Sequence, residues 1–582
     1  MQNKQADMSR LIAFGYGDGG GGPTEIMVET ARRVKEVDGI PKVDYRTISE
    51  FGKMLEEKKS KLPVFNGELY LELHRGTLTQ MHDIKRNNRK AEQAIHNMEL
   101  AAVITGNDLD KKEYDGMVKC LLKNQFHDIL PGTALRKVNE ISVGETNELI
   151  SKADKKTKDI VEKETVEDGI TLLNPTSFDI KSAFHINSEF GIKGAKNQLV
   201  ETVSGKKLTA VSGVELSGFE AKSFVKQNVF SAASPFLYDG KSLKTPFAFI
   251  EFDNDGYISS FIDRKSGREL RKENGNPLNC FYFGEDIAVY WDNWDIEYDQ
   301  KFKMKPVKGL VSRQVVSDGE VEMRIRQKFK ISDKSDLVQD IIVYADSPRV
   351  DFETRLNWND KHRLLKAGFD LDILATTAKH EIQFGYIERP TTENSITETA
   401  KFEVCNHKWT DISESRFGAA VLNDCKYGIS VRESDIRLSL HRGGCRPDWS
   451  GDKGIHEFTY SLLPHGSFSV KEVVSEAYAL NYGVCDFEGR LKRKAETPIE
   501  ISEDNIICET VKPAENEENA YVLRLYEAEK NKTKVKLTFP KSAKKVYLTD
   551  MLEENISEIE LDNSSAELVF KPFEIITLKV LR

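Results

Sequence analysis

Apolar positions follow two rhythms along this chain, and the change between them near residue 169 divides it. Upstream, Tyr114, Met117, Val118, Leu121, Leu122, Phe126 and Ile129 recur at steps of three and four, the spacing of a helix with one buried face. The same reading predicts helices over 81–104, 110–130 and 135–167. Pro131 and Gly132 end the second, since proline cannot extend the hydrogen-bond ladder and glycine accepts a left-handed exit. The short breaks at Gly106 and at Pro131 and Gly132 make these helices antiparallel neighbours, a three-helix bundle. Nearer the start, residues 11–15 read as a strand, GYGDGGGGPT as a glycine loop, and Ile26, Met27, Ala31, Val34 and Val37 as a helix. Thr47 and Glu50 make a capping box for a further helix carrying Phe51 and Leu55. Those first 60 or so residues resemble the end of an α/β domain, with too few strands to close a sheet.

Beyond residue 169 the period falls to two, in Val321, Met323 and Ile325 and again in Val535, Leu537 and Phe539. Turn signals such as Asp318 with Gly319, and Asn254 through Gly256, punctuate the pattern. Roughly 400 residues with almost no helix predict stacked antiparallel sandwiches.

Composition narrows the classes. At 582 residues the chain exceeds what one core serves, so three or four domains are expected. Hydrophobic residues at 39% and charged residues at 31% mark a globular chain rather than a disordered one. The net charge of -10, with both signs mixed throughout, excludes a nucleic-acid surface. No apolar run reaches the roughly 20 residues of a membrane span, and the start lacks a signal-peptide layout. Seven scattered cysteines without a CxxC pair read as reduced thiols of a cytoplasmic protein.

Two stretches carry chemistry. His127 and Asp128 put a metal-capable imidazole beside a carboxylate at the end of the second helix; the plain alternative is a core or capping histidine. The glycine loop formally satisfies GxGxxG, but the chain then enters a second helix instead of the strand that a dinucleotide fold needs. What remains is a loop that holds Asp18 out as proton donor or sugar ligand, or as a turn-forming residue.

FGYGDGGGGPT, GELYLELHRGT, NQFHDILPG, FGYIERPT, KFEVCNHKWTD, VLNDCKYG and HEFTY resemble the glycoside hydrolase family 38 α-mannosidases of bacterial type, in family order over essentially the whole chain. That resemblance implies a multidomain α+β fold: a remnant of an α/β catalytic barrel (1–66), a three-helix bundle (67–168), a small β domain (169–235), a large β-sandwich (236–492) and a terminal β-sandwich (493–582). It also implies a retaining exo-α-mannosidase acting on terminal α-mannosyl residues of oligosaccharides. The family's catalytic Zn2+ is held by a His-x-Asp motif, by the nucleophilic aspartate and by a histidine of the bundle. His127 falls on that histidine as metal ligand, and Asp128 on its substrate-contacting neighbour. Asp18 falls on the acid/base. Glu72, His74 and Arg75, with Asp292 and Asp295 of the YWDNWD stretch, fall in motifs taken as substrate-binding, while Trp294 reads as core.

The sequence departs from the family pattern in one respect: no histidine is followed two positions on by aspartate, and His82 is the only histidine besides His127 with aspartate next to it. The zinc site is therefore incomplete and the nucleophile missing. The expectation is a truncated or split enzyme lacking the N-terminal part of the barrel, which a separate barrel chain or a homo-oligomer completes. Unpaired strand edges and helix faces in the first 60 residues then favour aggregation or oligomerisation. The alternative is a non-catalytic carbohydrate-binding or scaffold β protein; Trp409 and Trp449 are its stacking candidates, although core packing is expected of both.

Overall fold

A computed structural model describes residues 9–17, 21–229 and 232–582. The chain forms two compact units, Met1–Leu71 and Glu72–Arg582.

In the first unit, α1 (Glu25–Arg33) begins where the Thr24 hydroxyl accepts the Met27 N–H at 3.3 Å. Helix α2 (Ile48–Glu56) opens on the expected capping box, with Thr47 and Glu50 satisfying each other's backbone N–H groups. Neither helix buries a residue. The strand expected at 11–15 is not formed: residues 11–14 are irregular, and Leu11, Ile12 and Phe14 are exposed. A strand is held by its partner's hydrogen bonds, and none of the described residues pairs with this one.

The second unit opens with α3 (His82–Thr105), α4 (Lys111–Asn124) and α5 (Arg136–Glu162). Small residues on α3 (Ala91, Ala94, Ala101, Ala102) let Met117, Leu149, Ala153 and Ile160 of its neighbours pack closely. Two boundaries differ from the pattern. Helix α4 stops at Asn124 rather than 130, because the buried Asn124 amide donates to the Cys120 carbonyl at 2.9 Å and the backbone then tightens. From there Gln125 shares the Leu121 and Leu122 carbonyls, and successive short turns run to Gly132. Helix α5 ends at Glu162 rather than 167, since Thr165–Leu173 is drawn into a sheet between Cys485–Leu491 and Ala221–Phe224. Those partners lie up to 326 residues away, from Thr165 to Leu491, so local periodicity carries no trace of them.

Downstream sheets are antiparallel. A nine-stranded sheet runs from Leu310–Asp318 through Val350–Trp358, Gly454–His465 and Gly418–Asn423 to Gly385–Pro390. A six-stranded sheet centred on Arg363–Asp370 and Asp435–Arg442 lies against it, with Phe369 packed on Phe352 at 5.9 Å and Phe281 on Phe329 at 5.1 Å. The terminal region pairs five strands with three. Its Val511, Leu523, Leu537 and Phe570 join the core of α3, so the helices and the last sandwich fold around common apolar contacts. Trp409 is buried as expected, whereas Trp449 is 66% exposed, contrary to the core role expected of it. None of the seven cysteines is joined in a disulfide.

Candidate functional site

Four segments distant in sequence meet in the second unit. The first is a short 3-10 turn, Arg75–Leu78, entered through His74 in the left-handed region. The others are the 125–133 turn, the YWDNWD loop and the HRGGCRPD segment that follows Asp435–Arg442. Lys85, on the first turn of α3, ties two of them together by donating to the Gln80, Leu130 and Pro131 carbonyls. Burial pulls this ammonium down to about 7, so three carbonyl acceptors have to hold it. Asn293 adds a third segment, its amide donating to the Gly132 carbonyl at 3.1 Å while its oxygen accepts the Arg446 N–H at 3.0 Å. Gly132 has φ +77, and a Cβ there would sit 2.7 Å from the Gln80 carbonyl; only glycine allows this approach.

Arg442 lies at the centre, wholly buried. It donates to Asp286 at 2.5 Å and to the Asp295 carbonyl at 2.5 Å, with the Asp292 carboxylate 3.8 Å away. Asp292 accepts the Cys445 N–H at 2.6 Å and stands 3.2 Å from His362 Nδ1. Asp295 accepts the Arg75 N–H at 3.2 Å. The Arg75 guanidinium donates to the Ala400 carbonyl and lies over the Phe402 ring at 4.4 Å.

The expected site residues therefore fall into three groups. Arg75, Asp292 and Asp295 are brought together, their charged groups engaged by neighbouring protein. Glu72 and His74 are exposed at the entry to the same turn. His127 and Asp128 stand out on the 125–133 turn, with side chains 78% and 56% exposed and His127 Nε2 3.6 Å from Asp128 Oδ2. Asp18 lies outside the described residues. Trp294 is half-buried and meets the exposed Trp291 edge-to-face at 5.5 Å.

Metal capability at His127 can be judged from its donors. Among the described residues, no group of three or more metal-capable side chains includes His127, and only Asp128 accompanies this imidazole. One imidazole and one carboxylate are short of the three protein ligands that a catalytic zinc needs. These residues alone do not make that cage. A cavity of about 820 Å³ borders the same turn through Gln125, Leu130 and Pro131, and is lined opposite by His407, Tyr427 and Tyr478.

Sequence reading missed Lys85, Asn293 and Arg442, which assemble the site without entering its expected chemistry. The one local signal was Gly443 and Gly444 ahead of Pro447, marking a close backbone approach: a Cβ on Gly444 would meet Gln80 Oε1 at 2.5 Å.

Models of glycosyl hydrolases family 38 match along the chain in order: its N-terminal domain over 1–68, the alpha mannosidase middle domain over 72–163, its C-terminal domain over 243–450 and its C-terminal beta sandwich domain over 505–578. Alpha-mannosidase 2C1 of Homo sapiens is 31% identical across 97% of this chain and 55% of its own length. Alpha-mannosidase G of Dictyostelium discoideum is 32% identical across 100% of this chain and 58% of its own. The chain thus spans little more than half the length of these relatives. In fold it is similar to the crystal structure of an alpha-mannosidase from Enterococcus faecalis V583, with TM-score 0.74 and 15% identity over 92% of this chain and 72% of that one. With each of these domain models matched in sequence order, the chain belongs to glycosyl hydrolase family 38.

Proposed function

We propose that this chain serves a retaining α-mannosidase that removes terminal α-mannosyl residues from oligosaccharides. The observation that supports it is the 125–133 turn of a family 38 chain, pinned by Lys85 and Asn293 and presenting His127 and Asp128 to solvent. Rigid support beneath two exposed polar groups is the arrangement a binding wall requires. In this reading Asp128 accepts a hydrogen bond from a sugar hydroxyl and His127 is one ligand of a catalytic zinc. That ion would grip vicinal hydroxyls and polarise them. The remaining ligands and the nucleophile come from polypeptide other than these residues. Asp18 acts as acid/base, handing a proton to the departing glycosidic oxygen and later taking one from water, the proton-shuttling half of the carboxyl pair that retaining hydrolysis requires.

The test is complementation. The chain is mixed with a separately produced N-terminal segment of a family 38 relative, and mannose release from an aryl α-mannoside is followed with added zinc. Release above that of either part alone is expected, and His127→Ala should lower it by at least about a hundredfold, the scale of losing one catalytic group. No gain in the mixture, or an unimpaired His127→Ala mixture, overturns the proposal.

The exposed indoles of Trp449 and Trp291 support a second reading, a carbohydrate-binding protein without hydrolysis. Calorimetric titration with mannosides separates the two, since heat of binding with no turnover in any mixture favours the second.

A further inference from the structure

His82 and Asp83, the histidine-aspartate pair that the catalytic reading leaves unused, open the first turn of α3 against the strand Gly454–His465. His82 and His456 have side chains 1% and 3% exposed, with ring centroids 5.0 Å apart. Asp83 Oδ1 is 4.0 Å from His82 Nε2 and 3.7 Å from His456 Nδ1. Neither of those buried nitrogens has a hydrogen-bond partner. Unpaired polar atoms in such a place carry a desolvation cost, and two of them aimed at one carboxylate form an open cage.

Neighbouring groups orient the set. His456 Nε2 lies 2.9 Å from the Asp452 carbonyl, which can only accept; Nε2 therefore carries a proton, and Nδ1 is the ring nitrogen left facing Asp83. His441 Nε2 contacts the same carbonyl at 3.1 Å and its ring packs on His456 at 4.3 Å. The Asp452 carboxylate accepts the His82 N–H at 2.8 Å, adding negative charge beside the cluster. His82 Nδ1 is 2.7 Å from Lys426 Nζ, so an ion on Nε2 leaves the bridging hydrogen on Nδ1 with Lys426 as amine acceptor, and uptake releases one proton. Asp83 is 47% exposed and leaves a path from solvent.

We propose that His82 Nε2, His456 Nδ1 and Asp83 Oδ1 bind zinc or a similar borderline divalent cation at a site separate from His127. Two imidazoles and a carboxylate suit zinc and not calcium or magnesium, which prefer oxygen. The three donor atoms lie within 4.8 Å of one another; with metal–ligand bonds of roughly 2.0–2.1 Å, tetrahedral donors lie about 3.3 Å apart, so binding draws the 4.0 and 3.7 Å separations from Asp83 Oδ1 inward by well under 1 Å. Water fills the fourth position. The ion clamps the start of the helical bundle to the large sandwich.

The full chain, stripped of metal with chelator, is titrated with Zn2+ against a chromophoric competitor and with Co2+ by visible absorption. Wild type and His127→Ala should each bind one equivalent with tetrahedral Co2+ bands. Asp83→Asn and His82→Gln should lose at least roughly tenfold in affinity. Because Asp83 is half exposed, Asp83→Asn should keep the wild-type Tm without metal while losing the rise in Tm that zinc produces. Absence of binding by wild type, undiminished binding by both variants, or loss of binding in His127→Ala overturns the proposal. The first two of these leave the catalytic reading intact.

Discussion

Arg442 shows how much of the site depends on groups that never meet a substrate. Its guanidinium has no solvent contact and offsets Asp286 and Asp292, while its last N–H closes on the Asp295 backbone. Burial holds the Asp286 carboxyl above its ordinary range in spite of that partner. Removing one side of a buried pair strands the other, at a cost of about 3–5 kcal/mol. Arg442→Met should therefore lower the stability of the second unit by roughly that amount in urea unfolding; a loss under about 1 kcal/mol would show that the pair is not a major support.

At the scale of elements, α3 and α4 are joined by a bond with its own pH response. The Tyr114 hydroxyl donates to Glu99 at 2.5 Å in a site whose burial raises the Glu99 carboxyl to about 7. An acid whose folded pKa lies above its unfolded value binds more protons when folded. Its contribution is complete below about 4.5 and is lost as pH rises toward 7. The loss is on the order of 3 kcal/mol. Thermal melts from pH 4.5 to 7.5 should show this decline superimposed on other titrations, and Glu99→Gln should flatten it. An unchanged slope in the variant would remove Glu99 as its source. The ends of α4 and α5 belong to the same scale. Each moved from its expected position because of a competitor, the Asn124 side chain in one case and a distant sheet in the other.

For the whole molecule, the contrast lies between the two units. Glu72–Arg582 carries the sandwich cores, whereas α1 and α2 bury nothing and Ile12, Ile26, Ile48, Val64 and Leu69 stand exposed. Few buried apolar contacts mean low local stability and frequent opening. Limited proteolysis should cut first within residues 9–71 and leave a resistant fragment beginning near Glu72. Protection of that segment at protease levels that cleave the second unit would refute this. No helix of the described residues is long and apolar enough to cross a membrane.

Periods of 3.6 and 2 located the long helices and the antiparallel strands, because an element packed on one face must repeat its apolar residues at its own pitch. The Thr47 and Glu50 capping box was equally legible, since both partners lie within one turn. So was the turn at Gly132, although local pattern placed the end of α4 six residues late. What pattern could not supply was any relation set by residues far apart. The strand at 11–15 failed for want of a partner, Trp449 faced solvent though its type suggested core, and the Arg75, Asp292, Asp295 and Arg442 network joins positions up to 367 residues apart through single hydrogen bonds. Likewise His82 and Asp83 read as one short dipeptide on a helix, and only folding brings His456 to them. Local order follows from neighbours in sequence and was determined there; pairing, burial and the meeting of charges are decided when the chain closes on itself.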